Sequence, residues 1–267
     1  MRTLYFRSWD PSMRIIETSI LCAVFLSAVL QATASPETDY IDGQLASIQT
    51  EFNVQVHYQY NTNLFFPPEW QTPSLALAAS EIEVGEVVRL LPIIQQFLST
   101  HPVSVVRADL DHIYLLRELS FRGKPYGSTH KNKSMYIICN GTGNRYDDEF
   151  LLCRLHSEFS SILFDHHPFP TDAWNQLRPE GFTYSGNGFG MVDNPSCYDS
   201  TDRSCSDGFL VNYCRSSMEN DFNMVSAWLF TKKGELDNLS QQHGKLQQKQ
   251  AIVEQFYISV SGQYSFD

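Results

Sequence analysis

Residues 147–170 read DDEFLLCRLHSEFSSILFDHHPFP, and the reading of this stretch decides the fold. Its apolar members Phe150, Leu151, Leu155, Phe159, Ile162 and Leu163 fall mostly three or four residues apart, which is the spacing of one helix face. Asp147, Asp148 and Glu149 open the segment and complement the positive end of a helix dipole. Pro168 has no N–H to donate and ends it. The pattern predicts a helix over Asp147–Phe164.

On that helix Ser157 and Ser161 lie one turn apart on one face, with Glu158 next to the first. Metal hydrolases of the zincin type carry histidines at such a pair of positions, so that both imidazoles reach one zinc. A glutamate just after the first histidine then polarises the metal-bound water. His156 lies one residue too early for this role, and its i+4 neighbour is Ser160. His156 and Ser157 do not make a nucleophile–base pair either, because adjacent helical side chains point about 100° apart.

The segment Leu155-His156-Ser157-Glu158-Phe159-Ser160-Ser161-Ile162-Leu163-Phe164, with Asp165-His166-His167-Pro168-Phe169-Pro170 after it, resembles a zinc-binding metallopeptidase family. Members of that family are often secreted lipoproteins beside outer-membrane nutrient importers, and they carry a block like H-H-E-F-x-H-I-L-H followed by a few residues and P-Y-P. Glu158 to Pro170 fits without a gap. Gly208-Phe209-Leu210-Val211-Asn212-Tyr213 resembles the family's G-F-V-x-x-Y, and Asp221-Phe222 resembles part of its E-D-F-x-E helix. Gln248 to Tyr257 resembles its lysine-containing closing helix. The resemblance covers most of Asp39 to the C-terminus. It implies an α+β, zincin-like metallopeptidase domain: a small sheet, then a mainly helical half carrying the degenerate active-site helix.

The same resemblance implies that the ancestral metal site is gone. Ser157 and Ser161 stand at the histidine positions, and Asn220 and Met224 stand at the two glutamate positions, one of which would supply the third ligand. Glu219 is displaced from them by one residue, about 100° around a helix. A neutral hydroxyl competes poorly with water for zinc, unlike imidazole, carboxylate or thiolate. Glu158 alone is retained, as the catalytic general base if the protein is active, or as a carboxylate held by neighbouring hydroxyls if it is not. Substitute ligands for a rearranged site are His166, His167, Glu219 and Asp221, with Asp165 on the face of Glu158. Zinc is the implied cofactor, if the chain holds one.

The rest of the chain sets the context. Ile20–Leu30 is a mostly apolar run of about eleven residues, preceded by Arg14 and followed by Ala32-Thr33-Ala34. This reads as a signal peptide over residues 1–34, cleaved after Ala34, with Met13 an alternative start. The run is shorter than the ~20 residues of a membrane-spanning helix, so no stable span is expected after processing. Residues 35–267 are expected to form a single domain, secreted or periplasmic. The formal charge is −11; the leader carries three basic and two acidic residues, so the remainder carries −12. Such an acidic chain is a poor partner for nucleic acid; a peptide or a glycan is the expected ligand.

After export disulfides are permitted, and Cys197–Cys205 is the expected bridge among Cys139, Cys153, Cys197, Cys205 and Cys214. Alternation and apolar content predict strands near 54–60, 111–121 and 134–139. Helices are predicted over 36–50, 81–99, 219–231 and 243–258, with Pro92 breaking or kinking the second, and loops over 172–216. The exposed aromatics Trp174, Phe182 and Tyr184 are candidates for a cleft lining or for the core. Two functional readings follow: a binding protein or pseudoenzyme on a metallopeptidase fold, or an active hydrolase with a rearranged metal site around Glu158.

Overall fold

The computed structural model describes residues 35–141, 147–186, 188 and 198–266. The chain divides into two compact units, Met1–Asp39 and Tyr40–Asp267. Of the first, only Ser35–Asp39 are described, so the expected leader lies outside the described residues. Ser35 Oγ accepts the Thr38 N–H at 3.2 Å. It caps helix α1, Pro36–Phe52, with proline in the first helical position where its missing N–H costs nothing.

The second unit is built on a six-stranded mixed sheet. Its spine is β3, His112–Phe121, which pairs in parallel with β1, Gln55–His57, and with β6, Ser134–Ile138. Strand β5, Ser128–Lys131, runs antiparallel to β6 and forms one edge. Strands β2, Ala78–Glu81, and β4, Lys124–Pro125, pair with the far half of β3. Successive strand residues point to opposite faces. Ile113, Leu115, Met135 and Ile137 therefore enter the main helical core. Tyr114, Leu116, Tyr136 and Ile138 enter a second cluster with Phe65 and Phe66. Burial on both faces explains why β3 and β6 read as apolar runs. The strand expected over 54–60 shortens to β1.

Short helix α2, Thr62–Phe65, supplies the second cluster. Helix α3, Val84–Thr100, runs unbroken through Pro92. The expected break is absent for a visible reason. Pro92 is exposed, so the carbonyl left without a donor is on the solvent side, while Leu90, Leu91, Ile93, Ile94, Phe97 and Leu98 are buried. Several such buried side chains, at ~1.5–3 kcal/mol each, outweigh a proline penalty of ~3 kcal/mol. Helix α4, Val103–Asp109, follows it.

Helix α5, Asp148–His166, is the one anticipated from the quoted stretch. Asp147 is its N-cap, accepting the Phe150 N–H at 2.8 Å. Helices α6, Thr171–Gln176, and α7, Asp202–Ser206, interrupt the region expected to be loop. Helix α8, Met218–Thr231, packs against α5. Helix α9, Lys233–Gln242, is not legible from periodicity, and α10, Gly244–Val260, closes the unit.

No disulfide is found among the described residues. The thiols of Cys139, Cys153, Cys205 and Cys214 are free, and Cys197 of the expected bridge lies outside them. Among the described residues no helix is long and apolar enough to cross a membrane.

Candidate functional site

A cleft of about 470 Å³ opens between α5, α8 and the edge strand β5. Helix α5 turns Ser157, Glu158 and Ser161 into it, α8 contributes Glu219, Asn220, Asn223 and Met224, and the strand side contributes Gly127, Ser128, Thr129 and His130. One turn of helix separates Ser157 from Ser161, so both side chains and Glu158 reach the same opening.

The hydroxyl of Ser161 joins the two helices. Its Oγ donates to Glu219 Oε1 at 2.6 Å and accepts from Asn223 Nδ2 at 2.6 Å. Across the cleft, Ser128 Oγ donates to Glu158 Oε1 at 2.5 Å. The other Glu158 oxygen, Oε2, lies 3.4 Å from His130 Nδ1, and His130 Nε2 lies 3.3 Å from Asp165 Oδ2. Burial by itself would strip the proton from His130. The hydrogen bond and charge of Glu158, with Glu219 and Asp165 behind them, prevail and raise its pKa to about 9. At neutral pH the cleft therefore contains an imidazolium bracketed by two carboxylates.

The other candidate ligands are elsewhere. His166 Nδ1 and His167 Nε2 each lie 3.0 Å from an oxygen of Asp109, a carboxylate at the end of α4 that is 6% exposed. They tie the C-terminus of α5 to α4 and do not line the cleft. Asp221 is fully buried. Its Oδ2 accepts from Lys249 Nζ at 2.5 Å, Trp174 Nε1 at 3.1 Å and Tyr184 OH at 2.9 Å. Burial pushes its carboxyl up, and Lys249 opposes that. Trp174 is thus a core residue, and neither Phe182 nor Tyr184 lines the cleft. His156 is buried too, its Nδ1 3.0 Å from His101 Nε2.

Sequence reasoning missed Ser128 and His130. The run Ser128-Thr129-His130-Lys131 is short and polar, with no apolar alternation to mark a strand, and only the pairing with β6 places it beside α5.

Zinc at the ancestral position is not matched by the donors present. Ser157 and Ser161 offer neutral hydroxyls, and that of Ser161 already has both a donor and an acceptor partner. The Asn220 amide donates to Ser216 Oγ at 2.8 Å, and Met224 offers only a thioether. Among the described residues no group of three or more His, Cys, Asp or Glu side chains is arranged to hold a metal ion.

A mixed sheet followed by a helical half, with a cleft between an edge strand and two packed helices, makes this an α+β domain. Residues 130–261 match the family described as "Putative zinc-binding metallo-peptidase". The chain resembles the crystal structure of a putative zinc-binding metallo-peptidase from Bacteroides caccae ATCC 43185. The two are 17% identical with a TM-score of 0.55, covering 88% of this chain and 90% of that one. At that identity the likeness speaks for the fold. No curated protein matches the chain. Over residues 130–261 the chain is thus similar to this metallo-peptidase family, and it shares the fold of the solved structure.

Proposed function

We propose that this protein is a secreted or periplasmic member of the family that keeps the substrate cleft, has given up the ancestral zinc site, and acts by binding a peptide or a glycan. One observation carries the reading: the Ser161 hydroxyl, at a former ligand position, is built into a hydrogen-bond bridge to Glu219 and Asn223. That bridge uses the atoms a metal would need and holds the cleft walls together in its place. Glu158 is then a carboxylate held by Ser128 and His130.

The test is metal analysis of the purified chain with a peptidase assay alongside. The expected result is less than stoichiometric zinc and no metal-dependent hydrolysis. Stoichiometric zinc that is lost in Glu158→Gln overturns the reading. It would favour the second one, an active hydrolase with a rearranged site, for which the approach of His130 to Glu158 is the supporting observation. Export supplies a separate test: the released chain is expected to begin at Ser35, and a mature N-terminus at Met1 or Met13 rules the leader out.

A further inference from the structure

Helices α5 and α8 run antiparallel along the cleft. Ser161, late in α5, meets Glu219 in the first turn of α8 at 2.6 Å, and Glu149, early in α5, meets Lys232 at the far end of α8 at 2.5 Å. Side chains three or four residues apart share a helix face, so each helix lays one row along the same opening. On α5 the row reads Phe150, Cys153, Ser157, Ser161; on α8 it reads Asn220, Met224, Trp228. Both rows therefore change character in the same direction. The end beside His130 is polar and the end beside Phe150 is apolar. At ~1.5 Å of rise per residue, Phe150 and Ser161 stand roughly 16 Å apart along α5.

The apolar end adjoins a hollow of about 190 Å³, which shares Phe150, Cys153, Tyr198 and Met224 with the cleft and adds Trp228. Burial pushes the Cys153 thiol up to about 11, so this wall is uncharged at neutral pH. The charged groups at its rim are already engaged: Lys232 pairs with Glu149, and Asp147 caps the Phe150 N–H. An apolar cavity of about 150 Å³ holds one benzene ring, so the hollow has room for one aromatic or bulky aliphatic side chain. A sugar carries hydroxyls around most of its ring, and pressing them against Phe150, Met224 and Trp228 would leave them without partners. Between the two ends, Thr129, Ser157 and Asn220 present uncharged hydroxyl and amide groups, which match the amides of a peptide backbone. A peptide divides its chemistry as the cleft does, with amides along the chain and an apolar side chain standing off it.

We infer that the ligand of the cleft is a peptide segment whose bulky apolar side chain enters the hollow between Phe150, Cys153, Met224 and Trp228, so that these residues set its specificity. This rests on the reading of the cleft as a binding site and adds to it the class of ligand.

The probes are acetylated, amidated alanine pentapeptides with Phe, Leu, Ala or Asp at the centre, measured by calorimetry on the full mature chain, with chitotriose as the sugar control. The Phe and Leu peptides are expected to bind at least about tenfold more tightly than the Ala and Asp peptides, the scale of burying one apolar side chain. Methionine-methyl NMR on the unmodified chain reads the site directly, and the ring of the Phe peptide is expected to shift the Met224 methyl signal. Cys153→Phe fills the hollow, and Met224→Gln sets an amide in its wall. Each is expected to bring the Phe peptide down to the level of the Ala peptide while melting like the parent; if neither folds, the Met224 methyl signal still decides. Equal binding of the four peptides, no peptide binding at millimolar concentration, or chitotriose bound in preference to all of them overturns the inference. So does a preference that survives both variants, or a Met224 methyl that the Phe peptide leaves unmoved. Zinc-dependent cleavage of the peptides would sink the binding-protein reading and leave the side-chain preference standing, so the two failures are distinguishable.

Discussion

Ser161 Oγ and Glu219 Oε1 lie 2.6 Å apart and bridge α5 to α8, and Ser161 is one of the two positions at which the sequence resemblance implies a zinc histidine. The bridge and a metal would compete for that position, and that competition is the basis of the first prediction.

Replacing both serines, as Ser157→His with Ser161→His, is expected to create partial zinc affinity, since two imidazoles one helical turn apart supply half of a tetrahedral site. Adding Asn220→Glu or Met224→Glu is expected to tighten it further. The bridge to Glu219 and Asn223 is lost in exchange, at a cost on the order of 1–3 kcal/mol of apo stability. Equilibrium dialysis with zinc, against the unmodified chain, reads the gain. No gain in either variant would mean that α5 is not the former zinc helix.

The second prediction concerns Lys249 and Asp221, both fully buried and 2.5 Å apart. Lys249→Met leaves the Asp221 carboxylate without its charge partner inside the core. It is expected to lower stability by about 3–5 kcal/mol, seen as a fall in the urea midpoint. The double change Lys249→Met with Asp221→Leu is expected to recover much of that loss, because the penalty is the unpaired charge. A single variant as stable as the parent contradicts the pairing.

Acid sensitivity is the third. His101 and His156 are buried against each other, and Tyr264 OH lies 2.9 Å from the far nitrogen of His101. Burial lowers the His156 pKa to about 3, and burial and His156 hold His101 well below its ordinary value. Both are neutral in the fold and titrate near 6.5 when unfolded. Their contribution is therefore present above pH ~6.5 and is lost as pH falls from there toward the folded values. The slope is about 1.4 kcal/mol per pH unit for each histidine. The urea midpoint between pH 6.5 and 5 is expected to fall less steeply in His156→Asn than in the parent. Identical slopes would show that His156 takes up no proton on unfolding.

His130 has the opposite sign. Its folded pKa is raised to about 9. The stabilisation by its charge is complete below pH ~6.5, the unfolded value, and is lost as pH rises through about 9. His130→Gln is expected to flatten stability over that alkaline window. An NMR titration should place the imidazole near 9 in the parent and lower in Glu158→Gln. An imidazole titrating near 6.5 in the parent would remove the ion bracket.

Helix α5 is legible in the amino-acid sequence because its apolar spacing, acidic first turn and terminal proline all act within a few residues. The sequence by itself also determines that Ser157 and Ser161 share a face with Glu158 at the edge of it; that hydroxyl, amide and thioether replace imidazole and carboxylate there is what the resemblance implies. Runs of residues buried on both faces expose β3 and β6 in the same way. Only the tertiary structure decided which groups meet. It brought Ser128 and His130 to Glu158 from about thirty residues away through an edge strand too short and polar to announce itself. It turned Glu219 into the cleft and its near neighbour Asp221 into the core, a choice set by the rotation of α8 against α5 at about 100° per residue. It also pointed His166 and His167 at Asp109. Helical and strand periods are fixed by backbone hydrogen bonds a few residues long. Contacts between elements depend on how each is rotated and placed when the whole core packs, and no local pattern encodes that.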